Sequence, residues 1–240
     1  MTHISVTMRQ GAAKSGKNRG AIKVFLRDHG LVLVIFALFL LLVLGQALVG
    51  VRQFNQQQSQ RNQPPLSLPV YLTTGHFWEA LGENWESEFL QMGAFVVLTT
   101  LLYQRGSPES KDPDAFNPQD EDPRAHRDDP NAPWPVRRGG WVLVLYEHSL
   151  SLAFATFFVI AVLLHAWGGV REYNLEQLAH GQPPVSFVGY FGTSQFWFES
   201  LQNWQSEFLA IASMVYLSVY LRQKGSAESK PVHTPHDQSE

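Results

Sequence analysis

Asn84-Trp85-Glu86-Ser87-Glu88-Phe89-Leu90 returns 119 residues later as Asn203-Trp204-Gln205-Ser206-Glu207-Phe208-Leu209. The same shift carries His29 through Lys111 onto His148 through Lys230 without a gap, and about 35 of the 83 aligned positions are identical. Self-similarity of that extent marks a duplicated structural unit. Val51-Arg52-x-Phe54-Asn55 matches Val170-Arg171-x-Tyr173-Asn174, and Gln63-Pro64-Pro65 matches Gln182-Pro183-Pro184. Phe77-Trp78 matches Phe196-Trp197, and each copy closes on Gly-Ser-x-Glu-Ser-Lys, at Gly106 to Lys111 and at Gly225 to Lys230.

Outward from these motifs, apolar residues gather in blocks. Leu31 to Val51 carries no charged residue, and about 20 such positions suffice to cross a hydrocarbon core about 30 Å thick. Basic residues precede the block, as in a signal peptide. The run is longer than the 7 to 15 residues typical of a signal core, however, and a copy of it recurs in mid-chain, so an uncleaved span is expected. Each unit is read as a first helix (31–51; 142–170) and a second (85–103; 204–221). The expected fold is therefore all-α: an integral membrane protein of four helices in two tandem repeats, with short interfacial helices in the outer loops. An even number of spans per unit makes the two repeats parallel.

The domain boundaries follow. Residues 1–27 form a basic N-terminal segment, 28–111 the first repeat, 112–140 a linker, 141–230 the second repeat and 231–240 a tail. The linker is rich in Pro, Asp, Glu and Arg and nearly free of aliphatics, a composition that predicts disorder. Six Lys and Arg precede the first span, six lie between the units and three follow the last, against three in the two remaining loops. Positive residues stay on the cytoplasmic side, so both termini are expected to be cytoplasmic, in a bacterial inner membrane. The net charge of −3 hides this asymmetry, and the chain has no cysteine, which excludes disulfides and thiolate metal sites.

The two outer loops, 52–84 and 171–203, share length and sequence. Thr74 and Thr193 are positioned to cap short helices. Phe77, Trp78 and Trp85, with their counterparts Phe196, Trp197 and Trp204, are expected to form aromatic anchors at the membrane interface, where an apolar ring with a polar N–H is at home. The apolar part of the second helix is short, which puts Asn84, Ser87 and Glu88 at the outer edge of the bilayer, together with Asn203, Ser206 and Glu207. A carboxylate there needs a partner. Arg52 is the candidate for Glu88 and Arg171 for Glu207, with Asn55 and Asn174 nearby in sequence. Such pairs would fix each hairpin; the alternative is that Glu88 and Glu207 line a shared cavity and bind a cation or proton.

Other features carry less. His29 and His148 recur beside Asp28 and Glu147, His165 stands where the first copy has Gln46, and Gly50 and Gly169 are repeated near Ala47 and Ala166, where small residues would let helices approach. No zinc-protease motif, phosphate loop or dinucleotide fingerprint is present. No catalytic residue, cofactor or metal site is therefore expected, and no nucleic-acid partner. The expected partners are the lipid bilayer and a further protein or a second copy of the chain.

The motifs from Val170-Arg171 through Asn203-Trp204 to the closing Gly-Ser-Ala-Glu-Ser-Lys resemble those of an uncharacterised bacterial membrane family classed as a domain of unknown function, over about residues 25 to 230. The resemblance implies a membrane protein and brings no activity. The function expected from sequence is a non-enzymatic structural or scaffold component of the envelope. A small transporter or channel using Glu88 and Glu207 stands as the alternative, and a membrane-embedded enzyme behind both.

Overall fold

A computed structural model describes residues 3–239, with side chains from Lys23 onward, so the basic residues Arg9 to Arg19 lie outside the described side chains. Every regular element among the described residues is helical. Two helical stretches, Lys23–Gln60 and Ser149–Ala179, are long and apolar enough to cross a membrane. The chain divides into two units, Met1–Leu72 and Thr73–Glu240.

The first unit holds α1 (His3–Gln60) and the four-residue α2 (Leu68–Tyr71). The expected span 31–51 is thus the centre of a longer helix. Its apolar side chains lie bare, with Leu31, Leu41, Leu42 and Val49 each more than 60% exposed. The chain after α1 is folded back by one side chain. Asn55 Nδ2 donates to Leu66 O at 2.9 Å while its Oδ1 accepts from Leu66 N at 2.7 Å. Tyr71 is buried, and its hydroxyl rests against Gly50, where a methyl group would collide with it.

The second unit holds α3 (Gly75–Leu101), α4 (Trp134–Arg138), α5 (Gly140–Glu147), α6 (Ser149–Ala179), α7 (Phe187–Tyr190) and α8 (Ser194–Tyr220). Thr74 and Thr193 cap α3 and α8 as the sequence predicts, accepting from Phe77 N and Phe196 N. The helices they start do not stop at the interface. Each runs unbroken for 27 residues, about 40 Å at 1.5 Å per residue, because nothing between the cap and the apolar half breaks a helix. The separate short helices are instead α2 and α7.

The expected helix 142–170 is divided at His148, between α5 and α6. Ser149 Oγ donates to Tyr146 O at 2.8 Å, a side-chain bond that competes with the helical ladder. The first copy has Gly30 at that position, with no side-chain oxygen, and α1 continues through it. The Asn clamp recurs: Asn174 Nδ2 donates to Val185 O at 2.9 Å and Oδ1 accepts from Val185 N at 2.7 Å. Tyr190 rests on Gly169 as Tyr71 rests on Gly50. The repeated glycines therefore seat the tyrosine that ends the short helix α2 or α7.

Residues 112–140, expected to be disordered, hold two 3-10 turns, Pro118–Asp120 and Pro123–His126, and the short α4. Local bonds supply this order, among them Asn117 Nδ2 to Asp112 O at 2.9 Å; Val136 alone of the segment's side chains is buried. The two Gly-Ser-x-Glu-Ser-Lys loops fold alike. Gln104 N donates to Ser110 Oγ at 2.8 Å and Gln223 N to Ser229 Oγ at 2.9 Å. Glu109 N donates to Ser107 Oγ and Glu228 N to Ser226 Oγ. Lys111 Nζ reaches Thr100 O in the last turn of α3, where a cation satisfies orphan carbonyls. Lys230 Nζ instead gathers the carbonyls of Pro235, His236 and Gln238.

The Glu109 carboxyl is held above the usual carboxylate range, by burial first and then by a hydrogen bond shared with Glu228. A carboxyl with a raised folded-state pKa binds its proton more tightly when folded. Its stabilising contribution is complete below the ordinary carboxylate range and is lost as pH rises through the raised value. Hydrogen exchange of the amides in 106–111 and 225–230 is expected to quicken over that interval in the wild-type chain, and Glu109→Gln to flatten the dependence. An unchanged profile in Glu109→Gln would show that the pair is not the cause.

Candidate functional site

Along α3, Gly75, Glu79, Gly82 and Glu86 are spaced by four, three and four residues, and along α6 so are Ala161, His165, Gly168 and Glu172. Such spacing puts each set on one helical face. The two faces meet through glycine. A methyl group at Gly82 would fall on the His165 backbone, one at Gly168 on the Glu79 backbone, and one at Gly75 on Gly168 O, at 2.7 Å. Only residues without a side chain allow that approach. Further along the same helices the seam closes with Phe89 against Phe157, ring centroids 5.1 Å apart.

The close approach places His165 among carboxylates. Its Nδ1 lies 3.1 Å from Glu86 Oε2 and its Nε2 lies 3.2 Å from Glu199 Oε2 on α8. His165 and Glu86 are fully buried. Glu86 Oε1 also accepts from Trp204 Nε1 at 3.3 Å. Tyr190 donates to Glu199 Oε2 at 3.0 Å, and Gln195 donates to Glu199 Oε1. Burial and the neighbouring carboxylates, Glu199 foremost, push the Tyr190 phenol up, which keeps it a neutral donor. Phe196 stacks on the imidazole at 5.0 Å. Glu79 completes the group: one ligand atom each from Glu79, His165 and Glu199 lie within 4.8 Å of one another. Glu83, one turn on from Glu79, accepts from Asn203 Nδ2 at 2.6 Å. At the end of the seam Glu172 Oε1 accepts from His76 N at 2.9 Å, where a carboxylate is favoured by the first turn of α3.

A neutral imidazole has one donor and one acceptor nitrogen. Carboxyl groups at both nitrogens therefore require one further proton, on the ring or on a carboxyl. Glu79, Glu83, Glu86 and Glu199 share this one imidazole, and among the described residues no Lys or Arg forms an ion pair with any of them. Buried carboxylates without a counter-charge cost several kcal/mol each. The cluster thus gathers four carboxyl groups around one imidazole.

The residues singled out from sequence take other places. Arg171 makes no ion pair with Glu207; its guanidinium lies 3.6 Å from the centroid of Trp167, its neighbour four residues back on the same helix. Arg52 is exposed on α1 in the first unit, and Glu88 is exposed on α3 in the second. Glu88 and Glu207 lie within electrostatic range of each other, and Gln91 Nε2 donates to Glu207 O at 3.2 Å. Asn55 and Asn174 are the loop clamps described above. Asn84 bonds Ala80 O, while Ser87 and Ser206 bond the carbonyls of Asn84 and Asn203, all within their own helices. Phe77 and Phe196 are buried rather than lipid-facing. Trp78 and Trp85 are half-buried, Trp197 is exposed and bonds Phe191 O, and Trp204 serves Glu86.

The family model described as a domain of unknown function, DUF6766, matches residues 22–240. The chain belongs to this family. Comparison with curated proteins and with solved structures gives no match. Family membership supplies no ligand, so the chemistry rests on the cluster itself. Sequence reasoning passed over its members. Glu79, Glu83, Glu86, His165 and Glu199 face Phe198, Gln202, Gln205, Gln46 and Ala80 in the other copy, so none is repeated. The usable signal was the four-three-four spacing of Gly and Glu from Gly75 to Glu86.

Gly82→Ala is expected to destabilise the chain by about 1–3 kcal/mol through overpacking and to separate His165 from Glu86. Gly45→Ala, where nothing lies within 4 Å, serves as the control and should be neutral or slightly stabilising. Thermal unfolding in detergent measures both; equal effects at the two positions would contradict the glycine seam.

Proposed function

We propose that this chain is a four-span membrane protein that conducts or carries a cation, and that the α3–α6–α8 cluster around His165 is the site that holds it. The supporting observation is the buried imidazole bracketed by Glu86 and Glu199, with Glu79 at hand and, among the described residues, no Lys or Arg paired with them. Ionisable groups inside a membrane bundle pair with one another and mark ion pathways. The bare aliphatic surfaces of α1 and α6 support burial in lipid, since a water-soluble chain rarely leaves so large an apolar patch uncovered. In this reading α3 and α8 also span, with their polar halves shielded by protein, and the positive-inside count puts both termini in the cytoplasm.

A scaffold gains nothing from an acidic cluster that it must neutralise, and apolar residues would pack the same seam at lower cost. The cluster thereby also displaces Glu88 and Glu207 from the transporter alternative. Ion and proton flux in proteoliposomes tests this directly. Wild-type protein should support flux that falls at least tenfold in Glu79→Gln and His165→Gln, while Glu88→Gln with Glu207→Gln retains it. Flux lost only in the latter double variant would return the site to the outer carboxylates, and no flux of any ion in wild type would leave the scaffold.

Topology is tested by cysteines introduced one at a time. Ser59→Cys should react with an impermeant maleimide on intact cells, and Gln119→Cys only after lysis. Labelling of Gln119→Cys from outside would reverse the orientation.

A further inference from the structure

The geometry points to a divalent first-row transition metal as the cation, bound by Glu79, His165 Nε2 and Glu199. This inference rests on the cluster being a cation site and does not need the cation to be transported. Three features separate a metal centre from a general acidic patch. The first is the imidazole: its Nδ1 is committed to the buried Glu86, which is itself fixed by Trp204 Nε1. A carboxylate on one ring nitrogen holds the tautomer and orientation that a metal on the other nitrogen requires. The second is convergence from different helices. Glu79 comes from α3, His165 from α6 and Glu199 from α8, and their ligand atoms already lie within 4.8 Å of one another. Metal–ligand bonds of about 2.0–2.2 Å place tetrahedral ligands roughly 3.4 Å apart, so closure needs side-chain shifts of about an ångström. The third is support for Glu199, whose oxygens accept from Tyr190 and Gln195.

The donor set selects the class of ion. One imidazole with two carboxylates and no thiolate suits Zn²⁺, Mn²⁺ or Fe²⁺ and does not suit Cu⁺. Ca²⁺ and Mg²⁺ prefer six or more oxygen ligands or retained water and gain nothing from an imidazole nitrogen. The carboxylates bring two negative charges to a divalent ion, which offsets the excess left by the protein alone. Protein ligands fill three positions, leaving at least one for water or a passing ligand.

The full-length chain in detergent, stripped with a chelator, is titrated with Zn²⁺ and with Mn²⁺ alone, and thermal unfolding is followed alongside. One equivalent per chain is expected, with a higher unfolding temperature on loading, and a tenfold excess of Mg²⁺ or Ca²⁺ should not displace it. Glu79→Gln should fold normally, since among the described residues the carboxylate makes no hydrogen bond, and should weaken binding at least 100-fold. Glu86→Gln, which keeps an acceptor for Nδ1, should weaken it about 10- to 100-fold as an outer-shell change. X-ray absorption on the loaded wild type should show one imidazole and oxygen neighbours. Metal binding that survives Glu79→Gln and His165→Gln, as it would if tail histidines captured the ion, overturns the assignment, and so does failure of wild type to bind either ion below about 100 μM. Binding without flux would refute transport and leave the metal site standing; flux of protons or monovalent ions without metal binding would do the reverse.

Discussion

The second unit depends on the backbone contact between α3 and α6. Gly75, Gly82 and Gly168 let the two helices touch where side chains would hold them apart. That separation brings Glu86 to His165 at bonding range and Glu79 within 4.8 Å, and α8 then adds Glu199 and Trp204. Because charged groups sit where a coiled-coil seam would carry leucine, association of these helices is tied to satisfying their charges. Packing and chemistry are here the same contact. Displacing the seam by one methyl group would strand several carboxylates at once.

Within each unit the repeated residues do mechanical work. Asn55 and Asn174 each close a loop with the same pair of backbone bonds, within 0.1 Å of each other's geometry. Tyr71 on Gly50 and Tyr190 on Gly169 seat the short helices that follow. The Gly-Ser-x-Glu-Ser-Lys loops share their serine bonds after α3 and α8, while Lys111 reaches one backbone carbonyl and Lys230 three. What the copies share is a hairpin kit. What they do not share is the ionisable cluster.

That division explains what could be read in the sequence. The all-helical fold, the threonine caps and the long apolar stretches follow from local patterns, and the structure carries all three. The early start of α3 was hidden because Glu79, Glu83 and Glu86 look like loop residues until their partners on α6 and α8 are known. The break at His148 turns on one hydroxyl, Ser149 against Gly30. Weighting identities between copies drew attention to Arg171 and Glu207, whereas Arg171 finds its nearest planar partner, Trp167, one turn away. His165 was set aside because Gln46 replaces it, and that replacement is the clue. A duplicated frame can spare one side chain per pair for chemistry while its partner keeps the packing.

Such a division of labour is not reversible by simple steps. The first repeat supplies Glu79, Glu83 and Glu86, and the second supplies His165, Tyr190 and Glu199. Neither half carries the whole cluster, so two copies of either one would pair acids with glutamines or leave an imidazole without its carboxylates. The halves are complementary parts, and one chain that holds both guarantees one of each.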